Sequence, residues 1–162
     1  MTYLPQTDQL LLCERKKDDS WLRLTFIAPN TGKVVSSEPV IHDHGDIIAW
    51  LHDGGDWIYG LHDYRGTIFA YSLKERRIVR EIRELKLGHH CKESLVFGPD
   101  QRICGLTAEC VFAVDRQLTT KEKLAGYEDQ MLIDHSRFNL CFGPDGHLYF
   151  MNGAHLMRMR WD

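Results

Sequence analysis

Several familiar signatures are missing from this 162-residue chain, and each absence narrows its function. No apolar run approaches the length that spans a bilayer. The opening MTYLPQTDQLLL has no basic n-region and no continuous apolar core, so neither a membrane partner nor a secretory leader is expected. An excess of basic residues is lacking too: 20 Lys and Arg stand against 23 Asp and Glu, for a net charge of −3. The densest basic group, Arg15-Lys16-Lys17, runs straight into Asp18-Asp19 and reads as a polar hairpin tip. Nothing therefore points to a nucleic-acid partner.

The five cysteines, Cys13, Cys91, Cys104, Cys110 and Cys141, are odd in number and show no C-x-x-C spacing. That pattern favours reduced, mostly buried thiols and a cytoplasmic setting over a disulfide framework. A bridge between Cys104 and Cys110 is conceivable across one hairpin but not expected. Phosphate-loop, G-x-S-x-G and H-E-x-x-H motifs are absent. No window carries a 3.6-residue apolar face; IVREIRELKL comes nearest, and its alternation makes it an outer strand leading into a loop.

What is present is repetition. Phe-Gly-Pro-Asp occurs in LVFGPDQRICGL (95–106) and again in LCFGPDGHLYFM (140–151), 45 residues on. One step of 45 back lies WLHDGGDWIYGL (50–61), where Ile58, Ile103 and Leu148 coincide, as do Gly60 and Gly105. A further step of 44 places LTFIAPNTGKVV (24–35) over IFAYSLKERRIV (68–79). Each unit holds short alternating runs, most clearly 47–51, 57–61, 67–72 and 78–82, separated by Asp-, Gly- and Pro-containing turns.

Four short antiparallel strands per repeat of this length predict an all-β fold of β-propeller blades, with a long β-sandwich as the alternative. The expected blades are 1–39, 40–84, 85–130 and 131–162, the last without its outer strand. Three closures fit that arrangement. The chain can be the C-terminal portion of a larger propeller whose N-terminal portion completes the ring. A homodimer can share a ring of about eight blades. A four-bladed ring latched by the N-terminus fits least well.

Gly143-Pro144-Asp145-Gly146 with Leu148-Tyr149, and more loosely Gly98-Pro99-Asp100 with Ile103, carry a family resemblance. The repeats resemble the bacterial propellers with GPDG-x-LY blades: the NHL, YVTN and streptogramin-lyase-like groups. Gly88-His89 and Val114-Asp115 resemble WD40 blades more weakly, since no Trp precedes Asp115. The resemblance implies a blade type, and such blades serve scaffolds, sugar binders, lyases and hydrolases alike.

In that fold the loops joining blades and the loops joining each blade's second and third strands share one face, which borders the central channel. Histidines concentrate there, in IHDHGD (41–46), GHHCKE (88–93) and IDHSRF (133–138), with His62-Asp63 and His155 from the second set of loops. The candidate ligand-binding residues are His44, Asp46, His62, Asp63, His89, His90, Asp134 and His135. Imidazoles converging from several blades suit a divalent metal such as Zn²⁺ or Mn²⁺, with His44, His90 and His135 as candidate ligands. The alternative is structural: histidines at equivalent repeat positions can simply tie each blade to its neighbour. Trp50, Trp57 and Trp161 are expected to pack between blades. The leading functional expectation is a binding or assembly module presenting this loop face to a ligand or protein. The second is a metal-assisted lyase or hydrolase acting on a carbohydrate-like polar substrate in the channel.

Overall fold

Alternating runs of this kind can bury both faces of a sheet only by stacking sheets side by side, and the chain does so. The computed structural model describes residues 1–15, 20–42, 47–62, 66–86, 94–107, 110–126, 140–152 and 155–161, and every regular element among them is a β-strand. Fifteen strands form four antiparallel sheets, each a simple meander in chain order. The first contains β1 (Thr2–Leu4), β2 (Gln9–Arg15), β3 (Trp21–Ile27) and β4 (Val34–His42). The second contains β5 (Ile47–His52), β6 (Trp57–His62), β7 (Thr67–Ser72) and β8 (Arg77–Ile82). In the third are β9 (Leu95–Phe97), β10 (Ile103–Leu106), β11 (Cys110–Val114) and β12 (Lys121–Gly126). The fourth has three strands, β13 (Leu140–Phe142), β14 (Leu148–Asn152) and β15 (His155–Met159).

Neighbouring sheets meet through their inner strands, β1 with β5, β5 with β9 and β9 with β13. The protein is thus an all-β chain of propeller-like blades. The run IVREIRELKL supplies the edge strand β8, as its alternation requires. The expected hairpin tip lies at 16–19, outside the described residues apart from Arg15 at the end of β2.

Side-chain parity divides the second and third sheets each between two cores. On β6 and β7, Ile58, Phe69 and Tyr71 join Leu11, Leu24 and Phe26 of the first sheet. The opposite face, with Tyr59, Leu61, Ile68 and Ala70, joins Ile103, Phe112 and Val114 of the third. Cys104, Leu106, Val111 and Ala113 then meet Leu140, Leu148 and Phe150 of the fourth. Each fully buried Leu, Ile or Phe is worth about 1.5–3 kcal/mol, so the stacked faces supply most of the folding drive. Parity also explains why Cys104 and Cys110 form no disulfide with each other: they sit on opposite faces of the third sheet, in different cores. Burial pushes the Cys104 thiol up to about 12, which keeps it protonated and inert.

Two glycines hold the repeat together from inside. Gly60 pairs with Phe69 across β6 and β7, and Gly105 with Phe112 across β10 and β11. A Cβ at Gly60 would lie 2.2 Å from the Phe69 ring, and one at Gly105 would lie 2.3 Å from the Phe112 ring. The ring folds over the bare strand and fills the gap between blades. In the fourth sheet this position is Phe150–Met157, and in the first it is Leu12–Thr25. Gly105→Ala is therefore expected to cost about 1–3 kcal/mol in urea denaturation, through overpacking against a ring that has nowhere to go. Gly105→Ala/Phe112→Leu should recover most of that loss.

The turns closing the third and fourth strands depend on carboxylates. In the third sheet Asp115 accepts the backbone N–H of Gln117 at 3.1 Å and of Thr119 at 2.8 Å, together with that of Thr120. It also accepts the hydroxyls of Thr119 and Thr120, at 3.0 and 2.8 Å. Burial alone would raise the Asp115 carboxyl, but the Thr120 and Thr119 donors outweigh it and hold the group at about 2. Its folded value is depressed, so its stabilisation is present above the ordinary carboxylate range and lost as pH falls toward 2. Asp115→Ala should lower stability at pH 7 by about 2 kcal/mol. The gap from the parent should close between about pH 4 and pH 2, as followed by denaturant melts.

Candidate functional site

Of the eight candidate ligand-binding residues, only His62 falls among those the structure describes. His44, Asp46, Asp63, His89, His90, Asp134 and His135 lie outside them, and with them the proposed metal set. Among the described residues no group of three His, Cys, Asp or Glu side chains converges to hold a metal.

His62 ends β6, directly opposite Thr67 at the start of β7 and Ile47 at the start of β5. It is 2% exposed, and among the described residues its Nε2 has no hydrogen-bond partner. An unpaired buried ring nitrogen costs about 1–3 kcal/mol, so the arrangement needs a reason. The equivalent residue of the third sheet, Thr107, shows what a structural role looks like here. Its Oγ1 accepts the Cys110 N–H at 3.0 Å, and its own N–H donates to the Cys110 carbonyl at 2.9 Å, closing the turn. Thr107 is satisfied by its own blade, whereas the His62 nitrogen finds no partner among the described residues. On the same face Trp21 stands edge-to-face with His42, ring centroids 5.0 Å apart, where β3 begins and β4 ends. His155, at the start of β15, is exposed.

The opposite face carries a feature that motif reading missed. A cavity of about 500 Å³ lies between the turns of the third and fourth sheets, lined by Pro99, Asp145, Gly146, His147, Arg160 and Trp161. The Tyr149 hydroxyl donates to the Asp145 carboxylate at 2.9 Å and, with the His147 N–H, holds that carboxyl below its usual range. Among the described residues the buried Trp161 Nε1–H has no partner. The repeat contained the signal: Trp161 is 45 residues beyond Arg116, and Gly98 is 45 beyond Asp53.

These pairs key the joints between blades. Between the second and third sheets, Arg116 bonds Asp53 at 2.6 Å, stacks on Phe97 and accepts the Tyr59 hydroxyl on its carbonyl at 3.3 Å. Between the third and fourth, Trp161 occupies the arginine's place, edge-to-face with Phe142 at 5.1 Å and under the Arg102 guanidinium at 4.7 Å. A Cβ at Gly98 would come within 2.9 Å of the indole. Trp161 is therefore inter-blade packing; Trp50, edge-to-face with Phe69 of its own sheet, packs against the core shared with the first sheet, and Trp57, under Arg80 of its own sheet, against the core shared with the third. Gly98→Asp alone should cost about 2–3 kcal/mol. Gly98→Asp/Trp161→Arg, which copies the preceding joint, should recover at least half of it in a double-mutant cycle read by thermal denaturation.

No protein-family model and no curated protein sequence matches this chain. Solved structures do. The extracellular domain assigned to a hybrid two-component system, BT4673 of B. thetaiotaomicron, superposes with a TM-score of 0.62 at 14% identity, over 93% of this chain and 21% of that one. Kuenenia stuttgartiensis hydrazine synthase gives 0.56 at 14% identity, over 91% of this chain and 48% of that one. A Bacteroides caccae protein of unknown function gives 0.57 at 11% identity, over 96% and 59%. These likenesses show the fold, and this chain spans less than two thirds of each of those proteins.

Proposed function

We propose that the protein is a ligand-binding propeller module whose loop face is the binding surface, with His62 as an anchoring group. The observation that carries this reading is the buried, unpartnered Nε2 of His62 at a position where the neighbouring blade satisfies its own polar side chain. A buried ring nitrogen discriminates strongly for a ligand that supplies the missing bond, because a ligand without it leaves the cost in place. The histidines and aspartates at 43–46, 63, 89–90 and 134–135 belong to the same set of loops by repeat position. A binding role also agrees with the BT4673 neighbour, described as an extracellular domain of a signalling system. Within this reading the blades are of the GPDG-x-LY type, and the thiols of Cys104 and Cys141, which form no disulfide among the described residues, support a reducing, cytoplasmic setting.

Thermal-shift measurements test it. A panel of sugars, amino acids, nucleotides, Zn²⁺ and Mn²⁺ is applied to the parent and to His62→Phe. At least one compound should raise the melting temperature of the parent by several degrees, as about 2–3 kcal/mol of linkage does near a hundredfold excess over Kd. His62→Phe should be as stable as the parent and lose that response. A shift that survives in His62→Phe would sink the assignment. Stoichiometric Zn²⁺ or Mn²⁺, lost in His90→Ala/His135→Ala, would instead move the reading to the metal-assisted lyase or hydrolase.

A further inference from the structure

The two end sheets leave opposite halves of a blade joint uncovered. On the third sheet, Val96, Cys104, Leu106, Val111 and Ala113 form the face that the fourth sheet covers. Their repeat equivalents on the fourth sheet are Cys141, Tyr149, Met151, Leu156 and Arg158, which pair across β13, β14 and β15 and so share one face. Val111 is fully buried, whereas Leu156, at the same repeat position, is 67% exposed. Val96 packs in the core between the third and fourth sheets, whereas Cys141 is exposed.

At the other end, Leu10, Leu12 and Ile27 lie on the face of the first sheet turned away from the second, and all three are half-buried. Between them runs a closed polar group: Thr25 donates to Glu14, and Thr25 and Arg23 bond Ser37 at 2.9 and 3.0 Å. Its hydrogen bonds are made within the sheet, so covering this face would break none of them. No joint like those within the chain links β13 to β1 among the described residues.

We propose that these two faces are the halves of one further blade joint, formed between two copies of the chain. The fourth sheet of each copy covers the first sheet of the other. A head-to-tail contact of this kind closes into a finite ring when the rotation per subunit divides a full turn. Four sheets per chain then give eight blades, within the range that propellers use. The joint continues the three already present, with the same repeat positions facing each other. The net charge of −3 opposes pairing only weakly.

Native mass spectrometry and sedimentation equilibrium test the pairing. The parent should run as a single species of twice the chain mass at about 50 µM. Alkylation of Cys141, followed by peptide mapping, should slow about tenfold as the chain pairs. Leu156→Asp and Leu12→Asp should each give folded monomers, checked by far-UV circular dichroism. Mixed together, the two variants should re-form a dimer, because one of the two joints then joins two unaltered faces. That restoration cannot arise from unfolded variants. A parent that stays monomeric with Cys141 freely reactive would overturn the proposal and assign the faces to further blades of a longer chain. An open series of oligomers would overturn it too, as would a dimer unaffected by either variant.

Discussion

The two middle sheets each have two apolar faces, and neither can be left to water. A strand such as Thr67–Ser72 points Phe69 and Tyr71 one way and Ile68 and Ala70 the other, all of them fully buried. A single sheet of that kind is insoluble by itself and becomes stable only between two others. Stability is therefore distributed along the chain, with each blade depending on its neighbours as in other repeat architectures. The strands carry most of this load, with loop residues such as Leu85 and Leu118 adding to it.

That division explains how much could be read from the residues. The period of 45 set by Phe97-Gly98-Pro99-Asp100 and Phe142-Gly143-Pro144-Asp145 is imposed by blade stacking, so strand positions followed closely from it. The run 57–61 became Trp57–His62, and 67–72 became Thr67–Ser72 unchanged. Gly60 and Gly105 were visible as a coincidence, but their reason, an aromatic ring folded over each, is a cross-strand contact that no linear pattern displays. The candidate site was less legible. Histidine clustering marked the loop face, yet it could not separate His62, which lacks a partner, from a residue like Thr107, which closes its own turn. That difference belongs to hydrogen-bond geometry. The cavity beside Trp161 went unread because its lining comes from two sheets 45 residues apart.

Turn chemistry shows a second way in which local and global demands agree. Gly146 takes a positive φ of 76° and Gln101, its repeat equivalent, one of 67°. The third sheet tolerates a side chain in that strained conformation because Asp100 binds the Arg102 N–H and guanidinium beside it. The turn is fixed by its carboxylate as much as by glycine, which is why Gly-Pro-Asp persists where the following glycine does not.

The unlike joints have a consequence for how the chain assembles. Sheets of near-identical shape invite mistaken stacking, since any one could slide against any other while the polypeptide is still collapsing. An indole arriving at Asp53 would meet a carboxylate where it needs bare backbone, and a guanidinium arriving at Gly98 would find the nearby Asp100 already paired with Arg102. Each junction thus rejects the neighbour meant for the next. The protein encodes the order of its blades much as a set of locks, each cut differently, sorts otherwise interchangeable keys.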